Sequence, residues 1–274
     1  MVNGALHRLA GLGWCLLAAA CLLAIAAAPA RAAAPLMIWP VDPVIAGSQR
    51  AVALWIENRG LQPVTVQVRV MGWTQDQGDD QFASQKDVIA SPPITDIAPG
   101  ARQMVRLMAM GPAAPLSEDA YRVIVDELPR PPDTQHGSDA PQAALGVQLQ
   151  VRYAIPLFIY GTGAIGPRMS AAAMAAVGSE PTRMLEPDVS WRINSQGEVH
   201  RLVLRNDGPA HGRITAVGWQ AADAATEISV NPGLLGYVLA GSERQWDLPT
   251  APSGNFLLKA AVNGRAAILR RAAQ

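Results

Sequence analysis

The chain has 274 residues, of which 50% are hydrophobic and 16% are charged, and its formal net charge is zero. This length is enough for one large domain or for two domains of ordinary size. A neutral chain lacks the basic excess that binding to a phosphate backbone requires, so the composition argues against a nucleic-acid partner.

The first 32 residues have the pattern of a secretory signal peptide. Arg8 provides the positive charge, a long apolar run follows, and residues 30–32 form an A-x-A cleavage site. The alternatives are an uncleaved membrane anchor and a lipid anchor on Cys21. Because both cysteines, Cys15 and Cys21, lie in this segment, we expect the mature chain to fold in an oxidising compartment without disulfides. No later segment is apolar for long enough to span a membrane.

Short β-strand patterns separated by turns occupy the next part of the chain. The clearest covers residues 64–70, where four valines alternate with other residues, which is the period of a strand with one buried face. Residues 58–60 and 99–100 have the composition of turns. A polar segment at residues 75–85 predicts a hairpin or a loop. The other strands of this half are predicted at residues 36–39, 51–57, 105–107 and 121–128.

The longest alternating pattern runs from Leu145 to Tyr160. Its odd-numbered residues are all apolar or aromatic, and its first even-numbered residues are small or polar, which predicts one long strand. Pro156 lacks a backbone donor, so the second half of this strand must bend or lie at the edge of a sheet. A long apolar edge is normally an aggregation hazard. A protein that keeps such an edge can use it to pair with another chain.

Together these patterns predict an all-β fold of two immunoglobulin-like β-sandwich domains. We expect the first domain at residues 33–160, a glycine-rich hinge at residues 161–167 and a second domain at residues 168–274. The alanine-rich residues 170–176 suit a helical turn or an exposed loop, of which we expect the loop. Candidate strands of the second domain lie at residues 189–193, 199–204, 214–219, 235–239 and 256–262.

One glycine pattern, Gly161-x-Gly163-x-x-Gly166, has the spacing of a dinucleotide-binding fingerprint. The preceding strand alternates, however, whereas a central parallel strand is continuously apolar, and Pro167 follows at once. An interdomain linker therefore explains the glycines better.

No pattern indicates catalysis or metal binding. His136, His200 and His211 lack ligand spacing, and we expect them at the surface. No Gly-x-Ser-x-Gly nucleophile elbow is present. The sequence therefore predicts a protein that is not an enzyme and holds no cofactor or metal.

Two arginines, Arg122 and Arg152, lie within apolar strands that would be neighbours. An arginine in that setting must find an anion or reach water. They are either surface side chains with buried stems or a paired clamp for a carboxylate, which suits the planar guanidinium. Asp126 and Glu127 point to opposite faces of their strand, so they cannot share a catalytic site. Glu127 is expected to form an ion pair or to lie at the domain junction.

These segments resemble the periplasmic chaperones of the chaperone–usher pilus pathway. The resemblance covers residues 36–160, and over residues 168–274 it is only architectural. It is closest to the archaic, non-classical branch, which includes chaperones of spore-coat-U-type subunits. The matching motifs are Ile38-Trp39-Pro40, Ser91-Pro92-Pro93, Ile97-Ala98-Pro99-Gly100, Tyr121-Arg122, Val125 to Pro129 and Arg152 to Phe158.

The resemblance implies two sandwiches in an L or boomerang arrangement and a periplasmic location. It also implies that the last strand of the first domain completes a pilus subunit that lacks its own final strand, a case of β-augmentation. Classical members grip the carboxylate at the subunit's C-terminus with a lysine and an arginine. This chain has Pro156 at the lysine position and no arginine on its first strand, so Arg122 and Arg152 are the best replacement. Tyr160 replaces the classical interdomain arginine, and Glu127 matches its acidic partner.

The function expected from this resemblance is a periplasmic chaperone that caps pilus or fimbrial subunits and delivers them to an outer-membrane usher. The alternative is a secreted structural or adhesive β-sandwich protein, which would pair its strand edges internally. The residues expected to insert into the subunit are Leu145, Val147, Leu149 and Val151.

Overall fold

The computed structural model of the protein describes residues 36–129, 150–169, 171–178, 182–221, 227–250, 252, 254 and 256–272. The predicted signal peptide lies outside these residues. None of the helices in the described part of the chain is long and apolar enough to cross a membrane.

The first domain is a sandwich of two mainly antiparallel sheets. The first sheet has the order β1 (Leu36–Trp39), β3 (Ala51–Asn58), β8 (Arg102–Ala109), β6 (Val88–Ser91). The second sheet has the order β2 (Val44–Ala46), β10 (Arg152–Tyr160), β9 (Glu118–Glu127), β4 (Val64–Asp76), β5 (Asp79–Ser84), and β7 (Ile94–Ile97) also pairs with β4.

Period-two alternation places the core between these sheets. On β4, Val64, Val66 and Val68 are at most 4% exposed, whereas the residues between them are not buried. Leu54 and Ile56 of β3 face them from the first sheet and are fully buried. The strand pattern read from the sequence is confirmed here, because each sheet has one face that must leave water.

The second domain is a seven-stranded arrangement whose strands all contribute side chains to one core. Trp191 and Trp219 lie at its centre, with an edge-to-face contact at 5.1 Å between ring centroids. The strand order is β16 (Glu227–Val238), β15 (Gly212–Ala221), β18 (Phe256–Val262), β19 (Arg265–Arg271), β13 (Val189–Gln196), β14 (Val199–Asn206), β17 (Glu243–Leu248). The all-β, two-domain prediction is confirmed.

Between the domains lie two short parallel strands, β11 (Ala164–Ile165) and β12 (Arg183–Met184), and one helix, α1 (Ala171–Val177). The expectation of an exposed loop at residues 170–176 is wrong, because residues 171–177 form this helix. Alanine has the highest helix propensity, and the small side chain of Ala173 is 2% exposed. The helix is held at its C-terminal end, where the Ser48 hydroxyl donates to the Ala176 carbonyl at 3.1 Å.

A buried asparagine ends one strand in each domain. Asn58, at the end of β3, is fully buried; it donates to the carbonyls of Gln62 and Ile97 at 2.7 and 2.9 Å and accepts from the Gly60 amide. Asn206, at the end of β14, is also fully buried and bonds backbone groups in the same way. Each asparagine therefore satisfies backbone groups that water cannot reach.

We expect Asn58→Ala to lower the free energy of unfolding by about 3 kcal/mol, because it strands buried backbone groups. Asn231→Ala is the matched control, since Asn231 also accepts from the amide two residues ahead, but through an exposed hydrogen bond where the pairing of β16 is irregular. The control should cost less than about 0.5 kcal/mol. Urea unfolding followed by circular dichroism measures both, and equal losses would contradict a special role for the buried site.

Candidate functional site

The last strand of the first domain has one open side. β10 pairs with β9 along its whole length, from Arg152 opposite Asp126 to Tyr160 opposite Glu118. On its other side, β2 pairs in parallel with only the last three residues. Within the described ranges no strand pairs with that side over residues 152–157, which we call the open lane.

Backbone alternation decides which groups face the open lane. The Phe158 amide donates to the Pro43 carbonyl, on the β2 side, and the Val151 carbonyl accepts from Glu127, on the β9 side. Because successive residues of a strand point their backbone groups to opposite sides, even-numbered residues face the lane and odd-numbered residues face β9. Pro156 is even-numbered, so the amide that it lacks would have faced the open lane. The open lane therefore has one hydrogen-bond donor fewer, and the hydrogen bonds to β9 are unaffected.

The side chains of β10 pack into two different apolar clusters. Ile155, Leu157 and Ile159 are buried in the core of the first domain. Phe158 and Tyr160 point the opposite way, into an apolar cluster at the junction with the second domain. The second half of the strand is therefore apolar on both faces, which is why its polar alternation stops near Pro156.

Three of the four residues predicted to insert into a subunit, Leu145, Val147 and Leu149, lie outside the described residues. Val151 directly precedes β10 and is half-buried. Its carbonyl is bonded to Glu127, so its backbone belongs to the β9 side.

Arg152 begins the open lane and is tied to an acid on β9. Its side chain is 66% exposed and donates to Asp126 at 2.5 Å, and Arg69 donates to the same carboxylate at 2.7 Å. Burial by itself raises the pKa of the Asp126 carboxyl, but the hydrogen bonds and charges of the two arginines outweigh it, so this pKa lies below its ordinary value.

Arg122 is buried in an aromatic environment. Its guanidinium carbon lies 3.6 Å from the centroid of the Trp73 ring, with Phe82 and Tyr237 at 5.9 and 5.8 Å. Burial lowers the pKa of this guanidinium, and the charge of Asp80 opposes that shift. The residue is 9% exposed, so it is not a surface arginine.

The structure does not bring the predicted clamp together. Arg122 lies opposite Pro156, and Arg152 lies opposite Asp126, four residue pairs further along the strands. That separation is about 13 Å at the usual rise per strand residue. One arginine is stacked on Trp73 and the other is paired with Asp126, so the two do not share a carboxylate in this structure.

The domain junction is built around a buried acid, Glu118, which no sequence motif indicated. The Glu118 carboxylate, 1% exposed, accepts from the His211 backbone amide at 2.8 Å and lies 2.9 Å from the His211 ring nitrogen Nδ1. The His211 ring stacks on Phe158 at 3.6 Å between centroids. Burial raises the pKa of the Tyr160 hydroxyl well above its usual value, and the charge of Glu118 and its hydrogen bond to Tyr160 add to this. Tyr160 thus lies at the junction.

Two sequence predictions are wrong at this junction. Glu127 lies at the far end of β9, nine residues from Glu118, which is about 30 Å away. His211 is 4% exposed and is not a surface histidine. The sequence prediction placed the junction acid on the correct strand, β9, but at the wrong end of it.

A second junction contact comes from the tip of the β4–β5 hairpin. Gln77 and Gly78 have positive φ angles of 51° and 84°, as a two-residue hairpin turn requires. The Gly78 carbonyl accepts from the Gln245 backbone amide at 3.1 Å and from Arg244 at 3.3 Å. The positive φ of Gly78 itself favours glycine, and a Cβ there would also require the Gln245 side chain to move.

Close packing also explains the glycines that resemble a dinucleotide fingerprint. A Cβ on Gly161 would lie 1.7 Å from the Ala114 carbonyl oxygen, and one on Gly166 would lie 2.0 Å from the Tyr160 ring. Across the residues that the structure describes, no group of three or more histidine, cysteine or acidic side chains is placed to hold a metal ion.

Comparison with known proteins identifies the fold. Residues 40–163 match the family model of pili and flagellar-assembly chaperones, PapD N-terminal domain. A chain from the CsuC–CsuE chaperone–tip adhesion subunit pre-assembly complex, of the archaic chaperone–usher Csu pili of Acinetobacter baumannii, is 28% identical with a TM-score of 0.64. The match covers 86% of this chain and 97% of that chain.

The protein is a pilus assembly chaperone. Its fold is also similar to that of the E. coli chaperone DraB, at 18% identity and a TM-score of 0.52 over 86% of this chain and 97% of DraB. A chain from the Salmonella enterica SafA pilin–SafB chaperone complex gives 14% identity and a TM-score of 0.53 over 88% of this chaperone and 99% of that chain. A comparison with curated proteins gives no match.

We expect His211→Ala to lower the chaperone's free energy of unfolding by about 3 kcal/mol, because it leaves a buried carboxylate short of a partner and removes a ring from Phe158. His200→Ala is the control, since His200 bonds only the exposed Ser195 hydroxyl in the described structure. Thermal and urea unfolding measure both variants. A loss no larger than that of the control would show that the Glu118–His211 contact does not hold the junction.

Proposed function

We propose that this chaperone acts in the periplasm, where it caps pilus subunits by donating strand β10 and passes them to an outer-membrane usher. The observation that carries the proposal is the open lane. A subunit that lacks its final strand has an unpaired edge, and an unpaired edge on the chaperone is the complementary surface.

The lane offers the groups that β-augmentation needs. Arg152 and Ala154 each present an amide and a carbonyl, and Pro156 presents a carbonyl. Main-chain hydrogen bonds of this kind give affinity for any strand, while alternate side chains give specificity. The capping step uses only groups of the chaperone itself, so the proposal includes no cofactor.

Side-chain insertion would add the specificity. The alternating apolar residues Leu145, Val147, Leu149 and Val151 continue the sequence pattern of β10 toward its N-terminal side. Burying one aliphatic side chain is worth roughly 1.5–3 kcal/mol, so Val147, Leu149 and Val151 together would give about 5–9 kcal/mol before ordering costs. A subunit bound with that free energy would have its incomplete sandwich protected and could still be released to another partner.

Two observations support the archaic branch and a spore-coat-U-like partner. The identity to the chain from the archaic Csu complex is 28%, against 18% for DraB. The motifs around Trp39, Glu127 and Pro156 also resemble that branch. A secreted structural or adhesive sandwich, the alternative, is expected to pair this edge internally, and among the described residues no strand does so over residues 152–157.

The lane is tested by Ala154→Pro. This change removes an amide that faces the lane and none that faces β9, and the Ala154 side chain is exposed, so the chaperone should stay folded. We expect recovery of a co-expressed pilus subunit to fall at least about tenfold, since one ladder hydrogen bond and the fit of the added strand are lost. Ala154→Val keeps the amide and is the control. Normal capture by Ala154→Pro would refute the lane as the binding edge.

The inserted side chains are tested separately by Leu149→Asp in the same capture assay. A folded chaperone that no longer recovers the subunit supports insertion. If the variant unfolds, Leu149 belongs to the chaperone's own core and the insertion model is wrong.

A further inference from the structure

One face of the open lane carries a single charge. The odd-numbered side chains of the lane point toward the core of the first domain. The even-numbered side chains, those of Arg152, Ala154 and Pro156, therefore lie on the opposite face of the sheet, which we call the outward face. Arg152 is the only charged residue of the lane. A strand that pairs with β10 would meet this cation on its own outward face.

Arg152 shares its acid with a second arginine. Arg152 Nε donates to one carboxylate oxygen of Asp126, and Arg69 Nη2 donates to the other. Among the described residues neither arginine has a further acidic partner. Two guanidinium groups and one carboxylate give this cluster a net charge of +1. The Asp126 carboxylate therefore does not fully compensate the charge beside the lane.

The Arg152 guanidinium also keeps donors for a second acceptor. Its hydrogen bond to Asp126 uses Nε, and neither of its Nη groups donates to another described residue. A guanidinium has five N–H donors and can hold a carboxylate with two of them. The side chain of Arg152 is 66% exposed, so a partner can reach these donors without breaking the Asp126 contact.

The sheet register places Arg152 next to an added strand. Gln67, Asp126 and Arg152 form one row across β4, β9 and β10. A strand in the lane adds one position to this row, with its Cβ about 5 Å from that of Arg152, where opposite charges attract and like charges repel. Arg69 lies on β4, two strands from β10, or about 10 Å at the usual spacing.

We infer that Arg152 selects partner strands that carry an aspartate or a glutamate beside it in the open lane. The inference rests on the proposed function, because it requires a strand paired with β10. Arg152 keeps Asp126 through Nε and offers its Nη groups to the partner's carboxylate. A lysine or arginine in the same position would face a cluster of net charge +1. The group recognised is a side chain within the strand and not the end of the strand.

Two peptides that differ in one charge test this selection. The probe is an alternating valine–threonine decapeptide, blocked at both ends, in which one central threonine is replaced by glutamate or by lysine. Binding to the full chaperone is followed by NMR at the Ala154 backbone amide, which reports on the lane. We expect the wild type to bind the glutamate peptide about fivefold more tightly than the lysine peptide at low salt. Sodium chloride at about 0.5 M should remove most of this preference.

Variants of Arg152 should change the preference in a defined order. Arg152→Gln removes the cation and should leave the two peptides within about twofold of each other. Arg152→Glu changes the cluster from a net charge of +1 to −1, so it should favour the lysine peptide by about fivefold.

Arg69→Gln is the matched control, because it removes an arginine from the same carboxylate at a distance from the lane. We expect it to keep the preference for the glutamate peptide within about twofold of the wild-type value. If Arg69→Gln and Arg152→Gln lose the preference equally, the effect belongs to the Asp126 cluster as a whole and the inference is wrong.

The remaining outcomes separate the inference from the proposed function. Equal binding of both peptides by the wild type, with a shift of the Ala154 amide, would overturn selection by Arg152 and leave the lane standing. Binding of neither peptide would contradict the lane as a strand-binding edge, and the inference would fail with it.

Discussion

The direction in which the backbone of β10 points determines how this chaperone can bind a partner. Odd-numbered residues give their hydrogen bonds to β9, and even-numbered residues from Arg152 to Pro156 face no strand of the described structure. Because the two sets are independent, the strand is fixed in the sandwich while half of its backbone groups stay available. Pro156 fits this division, since its missing amide falls on the available side.

The C-terminal end of β10, where the open lane ends, lies at the domain junction. Phe158 and Tyr160 leave β10 on the face opposite the first core and pack against residues of the second domain. Glu118 then ties this end of the sheet to His211 through two contacts under 3 Å. Since a buried carboxylate without partners would be costly, the docked arrangement must keep both His211 contacts.

Arg122 shows why a cation inside a strand does not by itself indicate a ligand site. Its charge is compensated by the faces of Trp73, Phe82 and Tyr237 and by the nearby Asp80. Tyr237 belongs to the second domain, so this arginine also contributes to the junction. From sequence, a stacked arginine and one that awaits an anion look identical, because the aromatic partner is distant in the chain.

Period and composition were sufficient to predict the sandwich strands, because burial of one face leaves a repeat in the sequence. In the second domain they missed β17, whose residues are mostly half-exposed, and β19, whose residues are mostly exposed. In the first domain they missed the short strands β2, β6 and β7. They also placed the junction acid at Glu127 instead of Glu118. Alternation gives the face on which a residue lies but not the end of the strand that meets the next domain. His211 was missed for a related reason, since its partners Glu118 and Phe158 belong to the other domain.

Hydrogen exchange at two neighbouring amides tests the central claim most directly. Ile155 faces β9, so its amide should exchange slowly in the free chaperone and in a chaperone–subunit complex. Ala154 faces the open lane, so its amide should exchange rapidly in the free chaperone and become protected only when a subunit is bound. Protection of Ala154 in the free chaperone, or unchanged exchange in the complex, would contradict the account.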